Sequence, residues 1–189
     1  MICRALLLAA VLFLLAPGVS KAQTTIVEPT GSHFPYQRWV DEARMPTPNV
    51  TITLEETGAS HGCPRREQNY AGCTVPSENL MWLAPETIAG VARHIFYHEL
   101  GHNVDVDLLP EWMRWRFMAI MRLAGEWIGS GEPVSSLSPN EQFAEVYADC
   151  AILPYVSAGE QLGRGPILGA DPIGGRVRHN QICRMLGKL

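Results

Sequence analysis

Residues 94–107 read HIFYHELGHNVDVD, with His94, His98 and His102 set four apart and Glu99 directly after the second histidine. The reading of this stretch decides the fold. On an α-helix, residues four apart stand on one face, about 6 Å apart along the axis. His98 and His102 can therefore grip one metal ion from successive turns. His94 and His102 lie about 12 Å apart on the same axis, so no single ion reaches both. His94 is accordingly expected to pack, or to support a ligand, rather than to bind. Zinc takes histidine nitrogens at about 2.0 to 2.1 Å, and a catalytic zinc keeps three protein ligands with a fourth position open to water. Glu99 lies beside the pair without being placed to bind, where it can serve as base on the zinc-bound water as that water attacks a carbonyl. The competing reading is a histidine-rich helix that only packs.

The flanking residues favour a buried helix. Ile88, Val91, Ile95, Phe96, Leu100 and Val104 give it a wide apolar surface. Pro85 suits a first helical position, where a missing N–H costs nothing, and Glu86 suits the positive helix start. Upstream, NVTITLEET (Asn49–Thr57) alternates Val50, Ile52 and Leu54 with polar residues, the period of a strand with one buried face. NLMWLAP (Asn79–Pro85) reads as a second short strand. Downstream, EWMRWRFMAIMRLAGEW (Glu111–Trp127) interleaves aromatics and methionines with arginines, the pattern of a core-packing helix. A Gly/Ser/Pro loop (129–139) leads to a third helix, NEQFAEVYADCAIL, and a Gly/Pro-rich tract (159–175) precedes a short C-terminal helix around VRHNQICRML. The expected fold is one α+β domain over 49–189, a short antiparallel sheet packed on the histidine helix with further helices around it. Residues 23–48, rich in Pro, Thr and Gly, read as an irregular lead-in.

The first 22 residues have the layout of a secretory signal peptide: Arg4, an apolar run from Ala5 to Ala16, a Pro/Gly break, and small residues before a cleavage point after Ala22. The apolar run is shorter than the roughly 20 residues a membrane span requires. The reading is a secreted chain with no stable membrane anchor. Cleavage removes Arg4 and Lys21 but no acid, taking the formal charge from −4 to −6. That balance gives no basis for nucleic-acid binding; the expected partner is a peptide or protein substrate, met by a monomer. Cleavage also removes Cys3 and leaves Cys63, Cys73, Cys150 and Cys183, an even number that suggests two disulfides in an exported chain. The favoured pairing is Cys63 with Cys73 and Cys150 with Cys183. No C-x-x-C pair exists, which argues against a cysteine zinc site.

A third ligand must come from outside HELGH. The longer H-E-x-x-H-x-x-G-x-x-H pattern is absent, since Asp105 stands at its glycine and Leu108 at its last histidine. The third helix supplies Glu141, Glu145 and Asp149 on one face, and three like charges on a mostly apolar helix are costly unless a cation or hydrogen bonds compensate. Ser138-Pro139-Asn140-Glu141 is also a capping box, in which Glu141 folds back on the helix start. On that alternative Glu145 is the ligand and Asp149 its support.

HELGHNVD together with EQFAEVYA resembles the gluzincin class of zinc peptidases, including the catalytic domain of anthrax lethal factor and related secreted bacterial proteins. The resemblance implies a zincin-like fold, a bound Zn2+ ion, His98, His102 and Glu141 as ligands, Glu99 as general base, and Glu145 as hydrogen-bond partner of a ligand. It places Asp105 at the family's V-D aspartate, orienting a ligand or bracing the loop. The family also carries a tyrosine shortly before its glutamate helix to stabilise the oxyanion; this chain has Val134 in that region, and Tyr147, Tyr155 and His179 are the candidates to stand in. The expected function is a secreted zinc-dependent peptidase. The alternative is a secreted binding or structural domain that keeps the fold, with or without its zinc, and cleaves nothing.

Overall fold

A computed structural model of the chain describes residues 24–55, 71–84, 89–127, 138–155 and 172–189. Along the chain come β1 (Thr25–Val27), α1 (Tyr36–Glu42), β2 (Thr51–Glu55), β3 (Gly72–Val75), a 3-10 turn (Pro76–Glu78), β4 (Leu80–Leu83), α2 (Ala89–Asp107), α3 (Glu111–Met121), α4 (Pro139–Ile152) and α5 (Pro172–Leu186). The class is α+β, as expected. The signal-peptide reading, Cys63 and Val134 fall outside the described residues. Among the described residues, no helix is long and apolar enough to cross a membrane.

The sheet corrects the expected antiparallel pairing. Its order is β1-β2-β4-β3. β2 and β4 are parallel, with Leu54 opposite Met81, and β1 is parallel to β2, with Ile26 opposite Ile52. Only β3 runs antiparallel, with Thr74 opposite Met81. The physical reason is β3 itself. It forms the hairpin with β4 through the turn at Pro76–Asn79, where Asn79 takes a left-handed conformation (φ 52°) that asparagine tolerates. Two strands joined by a hairpin are antiparallel, so β2, reaching the sheet from the other side of β4, is left to pair in parallel. A four-residue strand containing Gly72 carries almost no alternation to announce it.

The segment 23–48 is likewise no irregular lead-in. Thr25–Val27 adds a strand to the sheet, and Tyr36–Glu42 forms a helix that buries Tyr36, Trp39 and Val40. Tyr36 and Trp39 stack around Phe96 of α2 with ring centroids 5.5 and 5.7 Å away, and the Tyr97 hydroxyl donates to the Trp39 carbonyl. The core therefore continues from α2 back into the N-terminal residues. It joins Ile52, Leu54, Met81 and Leu83 of the sheet, Phe96, Leu100 and Val104 of α2, Met113 and Phe117 of α3, Phe143 and Tyr147 of α4, and Ile182 and Leu186 of α5. Val91, expected in the apolar surface of α2, is half exposed, and Trp112 and Trp115 face solvent on α3.

Two close approaches set the geometry around α2. Gly101 lies against α4 so tightly that a Cβ there would stand 2.9 Å from the Ala144 Cα. Gly72 in β3 lies over the preceding turns, where a Cβ would meet Ile95 Cγ2 at 2.7 Å and Glu99 Oε1 at 3.1 Å. Asn103 ties the same edge strand down, donating to Thr74 Oγ1 at 3.0 Å and to the Glu99 carbonyl at 3.1 Å.

Candidate metal centre

The four-residue spacing of the histidines is matched by the four-residue spacing of the acids on α4. The two helices pack antiparallel, so the rows face each other: His94 meets Glu145 and Asp149, His98 meets Glu145 and Glu141, and His102 meets Glu141. Ligand atoms of His98, His102 and Glu141 all lie within 4.8 Å of one another. His98 Nε2 is 3.3 Å from Glu141 Oε2, and His102 Nε2 is 3.5 Å from Glu141 Oε1. Two ligands each 2.0–2.1 Å from a tetrahedral zinc stand about 3.4 Å apart. The donor set and its spacing therefore fit a zinc ion.

The position of Glu141 bears on its competing role as a cap. Ser138 stands at the N-cap of α4 with Pro139 in the first turn, but no side-chain hydrogen bond closes a capping box. Glu141 turns instead to the two histidines. Glu145, one turn on, places Oε2 3.2 Å from Nδ1 of His98, the nitrogen facing away from Glu141. A hydrogen bond there holds the ring orientation and leaves Nε2 free for a metal.

Glu99 is not a member of the ligand trio and lies 6 % exposed beneath Gly72 of β3. Burial pushes its carboxyl up to about 7, against the pull of the neighbouring His98. For His98 itself, burial opposes protonation, yet the carboxylates of Glu141 and Glu145 outweigh it and push the imidazole up to about 10. His102, with burial and the His98 charge acting together, is pulled down to about 4. Burial works to raise both Glu141 and Glu145, but the histidines hold each below the usual carboxylate range. Glu99 is thus shifted toward neutrality, while the carboxylates of Glu141 and Glu145 are held ionised.

Asp105 lies elsewhere. Arg114 Nε donates to its Oδ1 at 2.8 Å and Trp127 Nε1 to its Oδ2 at 2.9 Å, with the Arg114 guanidinium 5.8 Å from the Trp127 ring. Of the two roles expected for it, this arrangement fits the brace: Asp105 fastens α3 and Trp127 to the end of α2. Cys150 and Cys183 are bonded, joining α4 to α5 with Cα atoms 5.4 Å apart. Cys73 is also disulfide-bonded, and its expected partner Cys63 lies outside the described residues.

The candidates for an oxyanion donor are not gathered at the centre. The buried Tyr147 hydroxyl donates to the Pro46 carbonyl at 3.0 Å. His179 Nε2 lies 2.8 Å from the Leu153 carbonyl and 3.4 Å from Cys183 Sγ. Tyr155, three residues past the end of α4, is 64 % exposed. Sequence reasoning missed Gly72, the roof over Glu99, for which no signal existed. It also passed over Gly101, whose position inside a helix, unfavourable by about 1 kcal/mol relative to alanine, was a legible sign of a close packing contact. No protein-family model matches the chain, and no curated protein or solved structure is significantly similar to it.

Proposed function

We propose that the chain is an exported zinc-dependent peptidase of gluzincin type, in which His98, His102 and Glu141 hold the ion and Glu99 is the general base. The observation that carries this reading is the carboxylate of Glu141, which reaches from α4 to both Nε2 atoms at 3.3 and 3.5 Å. A zinc ion held there supplies Lewis-acid polarisation of a carbonyl and of water. The chain supplies the rest. Glu99 takes a proton from the attacking water and returns it to the leaving amine, a task suited to an acid held near 7. Glu145 keeps His98 in the tautomer that offers Nε2. Among the described residues β3 is the edge strand beside α2, and an extended peptide adding to that edge runs past Glu99.

One observation favours the alternative, a non-catalytic domain: Tyr147 and His179 are both engaged away from the centre. Two measurements on the chain from Gln23 onward decide. Elemental analysis without chelator is expected to give one zinc per chain, and no zinc even after its addition would end the metal reading. Glu99→Gln is expected to keep that zinc and lose cleavage of a peptide library; equal cleavage by both would remove Glu99 from the mechanism, and cleavage by neither would establish the non-catalytic domain. Glu141→Ala should lose zinc outright, whereas Glu145→Ala should only weaken it.

A further inference from the structure

The seam between α2 and α4 extends beyond the candidate ligands. Along it alternate Asp149, His94, Glu145, His98, Glu141 and His102, with successive closest approaches of 3.9, 3.0, 3.2, 3.3 and 3.5 Å. Only the last three converge on one point. Glu145 is the link between that trio and the rest: Oε2 faces His98 Nδ1 at 3.2 Å, and Oε1 faces His94 Nε2 at 3.0 Å. Its side chain is about a quarter exposed, so water competes for either oxygen. A carboxylate held at one oxygen can still rotate about its long side chain. Held at both, it has one orientation.

We propose that His94 is a positioning residue for the metal centre: it anchors Glu145 Oε1, so that Glu145 Oε2 fixes His98 with Nε2 turned toward the ion. The inference rests on the zinc reading above. His94 is not itself within reach of the trio, being a full turn before His98 and facing Glu145 rather than Glu141. Nor is it a core residue; its side chain is 29 % exposed, more than that of His98 or His102. Asp149 Oδ1 lies 3.9 Å from the other ring nitrogen, too far for a hydrogen bond, so the anchor is the contact with Glu145. Hydrogen-bond partners of ligands affect metal affinity about 10- to 100-fold, and a residue acting one step further out belongs at the lower end.

The test measures zinc affinity by competition with a chromophoric chelator, in the full mature chain. His94→Ala is expected to bind zinc about tenfold more weakly than wild type, from the lower end of that range. His94→Gln, whose amide N–H can still donate to Oε1, should retain most of the affinity. In a Glu145→Ala background, His94→Ala should cost nothing more, because the group it acts through is gone. Wild-type affinity in His94→Ala, or the same loss in both backgrounds, overturns the proposal. Should His94→Ala fail to fold, His94→Phe, which fills the ring volume without a donor, replaces it: weak binding by Phe and tight binding by Gln supports the anchor, and the reverse order refutes it. A wild-type chain that takes up no zinc removes the metal reading, and this inference falls with it.

Discussion

Replacing Gly101 with alanine tests whether the α2–α4 crossing sets the proposed metal centre. In an exposed helical position this change stabilises by about 1 kcal/mol, because alanine is the better helix former. Here the added Cβ would stand 2.9 Å from Ala144 Cα, 3.2 Å from the Ala144 carbonyl oxygen and 3.2 Å from Tyr147 Cδ1. Carbon atoms pack best at about 3.5 to 4.0 Å, so the shortfall against Cα is roughly 0.6 Å or more. Two of the three obstacles are backbone and the third is a fully buried ring, so none can swing aside. The helices must separate at the crossing. His102 is the next residue on α2 and Glu141 lies three residues before Ala144 on α4, so the opening passes directly into the 3.5 Å contact between them. Metal–ligand distances hold within about 0.2 Å, and an opening about three times that size breaks the fit.

Overpacking of this kind costs about 1 to 3 kcal/mol, which outweighs or cancels the propensity gain. Gly101→Ala should therefore be neutral to about 2 kcal/mol less stable in urea unfolding of the metal-free chain. Its zinc affinity should fall at least tenfold, as for other displacements of a ligand's support. Adding Ala144→Gly should rescue neither quantity, since it removes a side chain while the clash is with Cα and the carbonyl. A variant stabilised by about 1 kcal/mol with unchanged zinc affinity would show that the crossing has slack and that this reasoning is wrong.

Gly72→Ala drives a methyl group toward Ile95 and Glu99; it should leave zinc stoichiometry intact while lowering peptide cleavage about a hundredfold, the scale of an ångström's misplacement, and wild-type turnover would show that β3 does not position Glu99. The Cys150–Cys183 bond closes a separation of 33 residues, for which loop entropy gives roughly 3 to 4 kcal/mol; the double Cys→Ser variant should lose stability on that scale in urea, and a loss under 1 kcal/mol would mean that α5 docks without it. His179 is 1 % exposed and burial holds its imidazole below the ordinary value of 6.5. With a folded pKa below the unfolded one, its contribution is present in full above about 6.5 and is lost as pH falls toward the lowered value. Thermal midpoints should accordingly fall more steeply below pH 6.5 in wild type than in His179→Gln, and parallel curves would exclude His179 as the source.

The histidine helix, the acid helix and β2 were legible because their residues repeat at the period of the element: apolar positions at 96, 100 and 104, histidines at 98 and 102, alternation at 50, 52 and 54. What escaped was structure whose cause lies in a partner. β3 is a strand because β4 pairs with it and α2 packs under it, and β1 because Val50 and its neighbours offer a parallel edge. Residues 23–48 read as an irregular lead-in, yet Tyr36 and Trp39 stand on a helix that packs against Phe96. At the centre, spacing alone left Glu141 open between a cap and a ligand face. The tertiary crossing of α2 and α4 turns it to the histidines.

That same crossing explains how so many buried ionisable groups coexist in one core. Unpaired, three carboxylates on α4 would be strongly destabilising. Across the seam the compensation is uneven: Glu145 raises His94 against its burial and Glu141 and Glu145 together raise His98, whereas burial lowers His102 and raises Asp149. In the metal-free chain the compensating positive charge is protons. On the proposed reading, a divalent ion held by His98, His102 and Glu141 would displace the His98 proton and add one net positive charge beside the carboxylates of Glu141 and Glu145. Most of the buried apolar surface, from Ile52 through Phe96 to Leu186, lies outside the charged seam, and Glu99, Glu141 and the histidines are carried on helices that this core holds in place.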